Sequence, residues 1–214
     1  MDEMLIETKG RIENAEWSRS DNALAISAEL KWLKAVIEMR RRINAEKLTM
    51  ESVFDMLPPD FDNSAYSQLI RNYNFDFEER LILILALCIH INPKGLDSFI
   101  QDKPKTSFGG VIGKNHRGFI PTGETVMFII AGNDIEKRLD LLCLFDKDHA
   151  FYKDNLVYLE QALPSEPELS GVLTSSQDLV DLVLRGIVRK PDLRHDFPAK
   201  LLSTDMNWED VALP

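Results

Sequence analysis

The residues best suited to chemistry lie between Gly109 and Gly118, in the stretch GGVIGKNHRG. A glycine pair followed by Gly113-Lys114 has the composition of a phosphate loop, in which backbone N–H groups surround the phosphates and a lysine reaches them. The spacing is wrong for one. G-x-x-x-x-G-K-[ST] needs glycine at 108, where the chain has Phe108; Gly109 is one residue too close, and Asn115 stands where a metal-binding hydroxyl belongs. No apolar strand ending in paired carboxylates follows to hold magnesium, and G-x-G-x-x-G does not occur anywhere. Glycines also permit a tight excursion with positive φ, so a wing-like or hairpin turn between helices is expected here.

The other reactive side chains do not form a constellation. His90, His116, His149 and His195 have neither H-x-x-x-H spacing nor C-x-x-C partners, so no metal site is expected. Cys88 and His90 are two positions apart, and such side chains diverge on a helix. Asp148-His149 reads either as an acid–base pair or as a helix-to-loop junction, and Ser175-Ser176 as a helix cap, since no G-x-S-x-G surrounds it. No catalytic residue, cofactor ligand or metal ligand is assigned.

The elements around these residues read as mainly α with a small β component: N-terminal helices followed by a winged-helix-like domain. Ile26, Leu30, Leu33 and Ile37 fall on one helical stripe, in a helix running from Ser18 or Ser20 to about Ala45. That stripe packs on the core or on a partner helix. Pro58-Pro59 break the pattern, which gives segments at 1–57, 58–195 and 196–214. Helices are expected at 64–73 and 77–91, the latter carrying LILILALCI as a buried core helix, with a short helix in PKGLDSFI. Six of the ten glycines lie between residues 109 and 132. Thr122-Gly-Glu-Thr125 then opens a helix ending at Gly132, and Asn133 caps the next, which carries Ile135, Leu139 and Leu142 on one face. NLVYLEQAL and ELSGVL read as a hairpin, and Ser175-x-x-Asp178 as a capping-box variant opening a helix that ends at Gly186.

Composition narrows the function class. With 44% hydrophobic and 28% charged residues the chain has the makings of a folded core. A net charge of -10 disfavours nucleic acid, which requires a local lysine and arginine excess. The candidate recognition helices at 64–73, 122–131 and 175–185 offer only Arg71, none and Arg185. Arg40-Arg41-Arg42 with Lys47 reads as a solvated helix end favoured by the helix dipole. Cys88 and Cys143 sit in apolar runs and read as buried free thiols, which fits a reducing, cytoplasmic setting. The N-terminus has no signal-peptide pattern, and no apolar run is long enough to span a bilayer.

From about residue 77 onward the stretches EERLILILALCIHINP, GGVIGKNHRGFIPTGETVMFIIAG, LFDKDHAFYKDNLVYLE and SGVLTSSQDLVDLVL resemble one group of bacterial proteins. These are AAA+ ATPases whose winged-helix-like N-terminal region precedes the ATPase module, some of them encoded with contractile injection systems. DFPAKLLSTDMNWEDVALP is similar to the segment leading into that module, with matches at Phe197, Pro198, Ala199, Thr204, Trp208, Asp210 and Leu213. Glu209 and Ala212 depart from the pattern, and the resemblance is weak over the first 60 residues. It implies that the chain stops at Pro214 just before the ATPase module, so that ATP and magnesium belong to the longer parent and no cofactor to this chain. It further implies a non-catalytic recognition or adaptor-binding domain whose partners are a protein substrate or adaptor and the parent's own AAA+ module, in a ring. A winged-helix nucleic-acid-binding regulator is the alternative.

The last segment is too apolar for a free linker, with Phe197, Leu201, Leu202, Trp208, Val211 and Leu213, while Pro198 and Ser203-Thr204-Asp205 interrupt a helix. A partly extended strap is expected, with Phe197, Trp208 and Leu213 as interface residues. Either Trp208 couples this domain to the ATPase module, or the segment merely covers an apolar patch.

Overall fold

The computed structural model describes residues 19–46, 52–101 and 108–185. It is mainly helical, with two small antiparallel sheets. The helices are α1 (Arg19–Glu46), α2 (Ala65–Tyr73), α3 (Phe77–Ile91) and the short α4 (Ser98–Gln101), then α5 (Gly123–Ile130), α6 (Ile135–Asp140), α7 (Ala150–Lys153) and α8 (Gln177–Val180). Strands β1 (Val111–Ile112) and β2 (Phe119–Ile120) form one hairpin, in register Val111 with Ile120. Strands β3 (Val157–Leu159) and β4 (Leu173–Ser175) form the other, with Tyr158 opposite Thr174.

Helix α3 is the centre. Asp76 caps it, accepting from the N–H groups of Glu78 (3.0 Å) and Glu79 (3.2 Å), while Glu79 accepts from the Asp76 N–H at 2.8 Å. Such a reciprocal cap contributes about 1 kcal/mol to a helix start. Every residue from Arg80 to Cys88 is buried, as an apolar-all-round helix demands. Helix α1 lays Ile26, Leu33, Val36 and Ile37 against the same core, with Leu30 half-buried at its edge. Core packing of the stripe is thus the observed arrangement. Ser20 lies inside α1 rather than capping it.

Several local starts differ from expectation by one residue. Asp134, not Asn133, caps α6, because its carboxylate reaches the Lys137 N–H at 3.1 Å. Ser176, not Ser175, caps α8 through the Leu179 N–H (3.1 Å); Ser175 belongs to β4 and donates to the Ala86 carbonyl (3.1 Å). After Val180 the helix widens to a π-turn over Asp181–Arg185. Helix α6 likewise tightens after Asp140 into a 3-10 turn, Leu141–Phe145.

The arginine run corrects a second expectation. Arg40 is not a solvated end: its Nε donates to the Ile129 carbonyl at 2.9 Å and a second nitrogen reaches Ile130, closing the last turn of α5. Burial lowers its guanidinium from the usual value, with Asp134 opposing. Gly132 follows with φ +61°, the left-handed position that ends α5, and a Cβ there would press on the same guanidinium. Arg41 bonds Glu38 (2.8 Å) and Ser98 (3.1 Å) and lies over the Phe99 ring. Lys47 lies outside the described residues. Cys143 is a third correction. It is exposed, because the 3-10 turn buries Leu141 and packs Leu144 and Phe145 against the core while Cys143 faces outward, whereas Cys88 is buried.

The core assignment makes a prediction. Leu83→Asp or Leu85→Asp puts an unpaired charge where the native side chain has essentially no exposure, and should cost several kcal/mol, roughly the range for an unpaired buried group. Thermal melting unchanged in both variants would remove α3 from the core.

Candidate protein-interaction surface

The glycine stretch forms the β1–β2 hairpin, and three of its backbone donors are used within it or on Thr122. The Gly110 N–H donates to the Thr122 hydroxyl (3.0 Å), the Gly113 N–H to the Gly118 carbonyl (3.2 Å), and the Arg117 N–H back to Gly113 (2.8 Å). A phosphate cradle needs such groups open. Gly110 has φ +83°, and a Cβ there would fall 2.2 Å from the Phe119 ring, so this glycine is required for packing. Phe119 in turn stacks near Phe99, and Phe108, where a Walker glycine would stand, packs edge-on against Phe128. Lys114, His116 and Arg117 project into solvent at the tip.

The other reactive groups have structural employment. His149 caps α7: its Nδ1 accepts from the Phe151 N–H (3.2 Å), which leaves Nε2 to donate to Glu79 at 2.9 Å. Asp148-His149 is thus the junction, not an acid–base pair. Burial pushes the Cys88 thiol up to about 11, so it stays protonated at neutral pH, and His90 faces solvent at the end of α3. Among the described residues no group of three or more His, Cys, Asp or Glu is placed to hold a metal ion, and no helix is long and apolar enough to cross a membrane. Phe197, Trp208 and Leu213, the expected interface residues, lie outside the described residues, as does the strap that carries them.

What stands out instead is α6. An amphipathic helix normally buries its apolar face. Here Ile135 and Leu139, with Leu142 of the 3-10 turn that follows, point outward instead: they are 72%, 63% and 43% exposed. Its two cations turn back to the body. Lys137 reaches Glu78 at 2.6 Å and lies 5.0 Å from the Phe54 ring centre. Arg138 pairs with Glu124 and donates to the Gly132 carbonyl at 3.1 Å. Ion pairs and a cap therefore hold α6 on the body, and Ile135 and Leu139 are left mostly in water and Leu142 partly so, each losing a share of the roughly 1.5–3 kcal/mol that full burial would give. Sequence reasoning found the stripe and missed its direction, since the acids that turn it are 59 and 14 residues away from their partners.

A cleft of about 560 Å³ lies elsewhere, between α1 and the end of α3, lined by Ala23, Ile26, Leu30, Ile91 and Leu184. Its wall includes Arg19 and Leu184, at the limits of the described chain.

Comparison with family models, with curated proteins and with solved structures finds no match to the chain.

The hairpin geometry makes a direct prediction. Calorimetric titration of the chain with Mg-ATP should give no heat of binding. A micromolar dissociation constant that disappears on Lys114→Ala would contradict the reading of 109–118 as a packing turn.

Proposed function

We propose that the chain is a non-catalytic recognition or adaptor-binding domain, the N-terminal part of an AAA+ ATPase. The observation that carries the recognition half is the outward apolar face of α6, because an exposed aliphatic stripe on a helix fixed by ion pairs is the ordinary form of a protein-docking surface. The ATPase half rests on the resemblance of residues 77–214 alone. On this reading ATP and magnesium bind a module outside the chain, the β1–β2 hairpin is the wing, the setting is cytoplasmic, and the parent works as a ring. Its partners are a protein substrate or adaptor and its own ATPase module.

One observation favours the nucleic-acid alternative: Lys114 and Arg117 are exposed at the hairpin tip. Two cations neutralise about two phosphates, far fewer than the roughly six to ten typical of a DNA-binding surface. The rest of the molecule is acidic, so the protein-binding reading is preferred.

The test uses the full-length parent and two variants. Leu139→Glu should leave basal ATP turnover unchanged and abolish its stimulation by the substrate or adaptor. Trp208→Ala should alter basal turnover or ring assembly while the domain melts normally. Absence of ATP turnover from the parent removes the AAA+ reading, stimulation intact in Leu139→Glu removes α6 as the docking face, and unchanged turnover and assembly in Trp208→Ala reduce Trp208 to packing.

A further inference from the structure

We infer that the α6 face docks a basic amphipathic helix of a partner protein; this deepens the recognition reading and depends on it. The inference comes from what surrounds the stripe. Asp134, Glu136, Asp140, Asp146 and Asp148 are all exposed between residues 133 and 148, against a single exposed cation in that span, Lys147. The segment contains two further cations, Lys137 and Arg138, but both are spent inward on Glu78 and Glu124. What solvent meets is an aliphatic stripe with a carboxylate rim. Its complement is a surface with apolar residues along one line and lysine or arginine on either side.

Shape narrows the partner further. Ile135, Leu139 and Leu142 are spaced four and three residues apart; a rise of about 1.5 Å per residue puts Leu139 about 6 Å along α6 from Ile135, and Leu142 follows in the 3-10 turn, where the rise is about 2 Å per residue. A short stripe of that kind fits apolar side chains at i, i+3 or i+4, and i+7 of an opposing helix, which interdigitate with it. A strand would present such residues every second position, at roughly 7 Å spacing, and would need a sheet edge to pair with; α6 offers none. The cationic rim supplies steering and register, and the aliphatic contact supplies residence. With only three anchors the affinity should be weak, on the order of 10–100 µM for an isolated peptide.

The experiment uses the whole 214-residue chain and fluorescence anisotropy. The probes are three labelled peptides of about 18 residues: leucine and lysine patterned as an amphipathic helix, the same composition scrambled, and the pattern with glutamate for lysine. The patterned peptide should bind at least about tenfold more tightly than the other two. Its binding should weaken several-fold when salt is raised from about 50 to 300 mM. Leu139→Glu should abolish it, and the pair Glu136→Gln with Asp140→Asn should weaken it several-fold. All of these positions are exposed, so the variants should fold, and an unchanged melting temperature checks this.

Equal binding of the scrambled peptide would reduce the effect to the overall charge of -10 and overturn the inference. So would binding that survives Leu139→Glu, or preference for the glutamate peptide. Sedimentation that passes from dimer to monomer on Leu139→Glu would mean that a second copy covers the stripe, which also overturns it. If no peptide binds while Leu139→Glu still abolishes partner stimulation in the parent, the recognition reading stands and the basic helix falls.

Discussion

The guanidinium of Arg80 is the constraint on which the rest of the fold depends. It is 4% exposed and is paired with Glu29, itself 2% exposed, through Nε at 3.0 Å and through a second nitrogen. That second nitrogen also donates to the Pro59 carbonyl at 2.7 Å, and the guanidinium carbon lies over the Phe61 ring, 4.8 Å from its centre. Tyr66 completes the cluster by donating its hydroxyl to Glu29 at 3.4 Å. Burial raises the Glu29 carboxyl above its usual value, and Arg80 works against that rise. Two charges this deep are tolerable only together, because either one alone would keep its desolvation cost without the attraction that offsets it. The pair therefore fixes where α1 crosses α3 far more strictly than aliphatic contacts, which can slide.

The same turn of α3 holds the outer surface. In DFEER, residues 76 to 80, Asp76 caps the helix, Glu78 takes Lys137 of α6, Glu79 takes His149 at the start of α7, and Arg80 takes Glu29 of α1. One helix start thus organises three distant segments, two by ion pairs and one by a hydrogen bond, while the apolar remainder of α3 fills the core. The outward stripe of α6 follows from this arrangement. Its cations are needed at Glu78 and Glu124, so its aliphatic side is the one left to face water. A surface of that kind has value only when something else covers it, which is why recognition rather than chemistry is the reading we favour.

Much of the scaffold was legible in the sequence because its signals are local. Helix α3 lies where the apolar run LILILALCI placed it, α2 falls within the expected 64–73, and Gly132 ends α5. The 109–118 segment was readable as a turn because the phosphate-loop spacing failed at Phe108. What was not legible depends on partners far apart in the chain. Glu29 and Arg80 are 51 residues apart, and nothing near either announces a buried ion pair. Arg40 looked like a solvated cation because the carbonyls it serves are 89 and 90 residues away. Cys143 looked buried because an apolar run does not reveal which of its residues a 3-10 turn will face outward.

The most direct test of this account is a double-mutant cycle on the Arg80–Glu29 pair, read as unfolding free energy in denaturant. Glu29→Met and Arg80→Met should each destabilise the domain by roughly 3–5 kcal/mol, since each strands a buried charge. The double variant should be markedly more stable than the sum of the two losses predicts, because the stranded charge is gone. Losses that add to within about 0.5 kcal/mol would mean that the two side chains do not depend on each other, and would contradict the ion pair as the organising interaction.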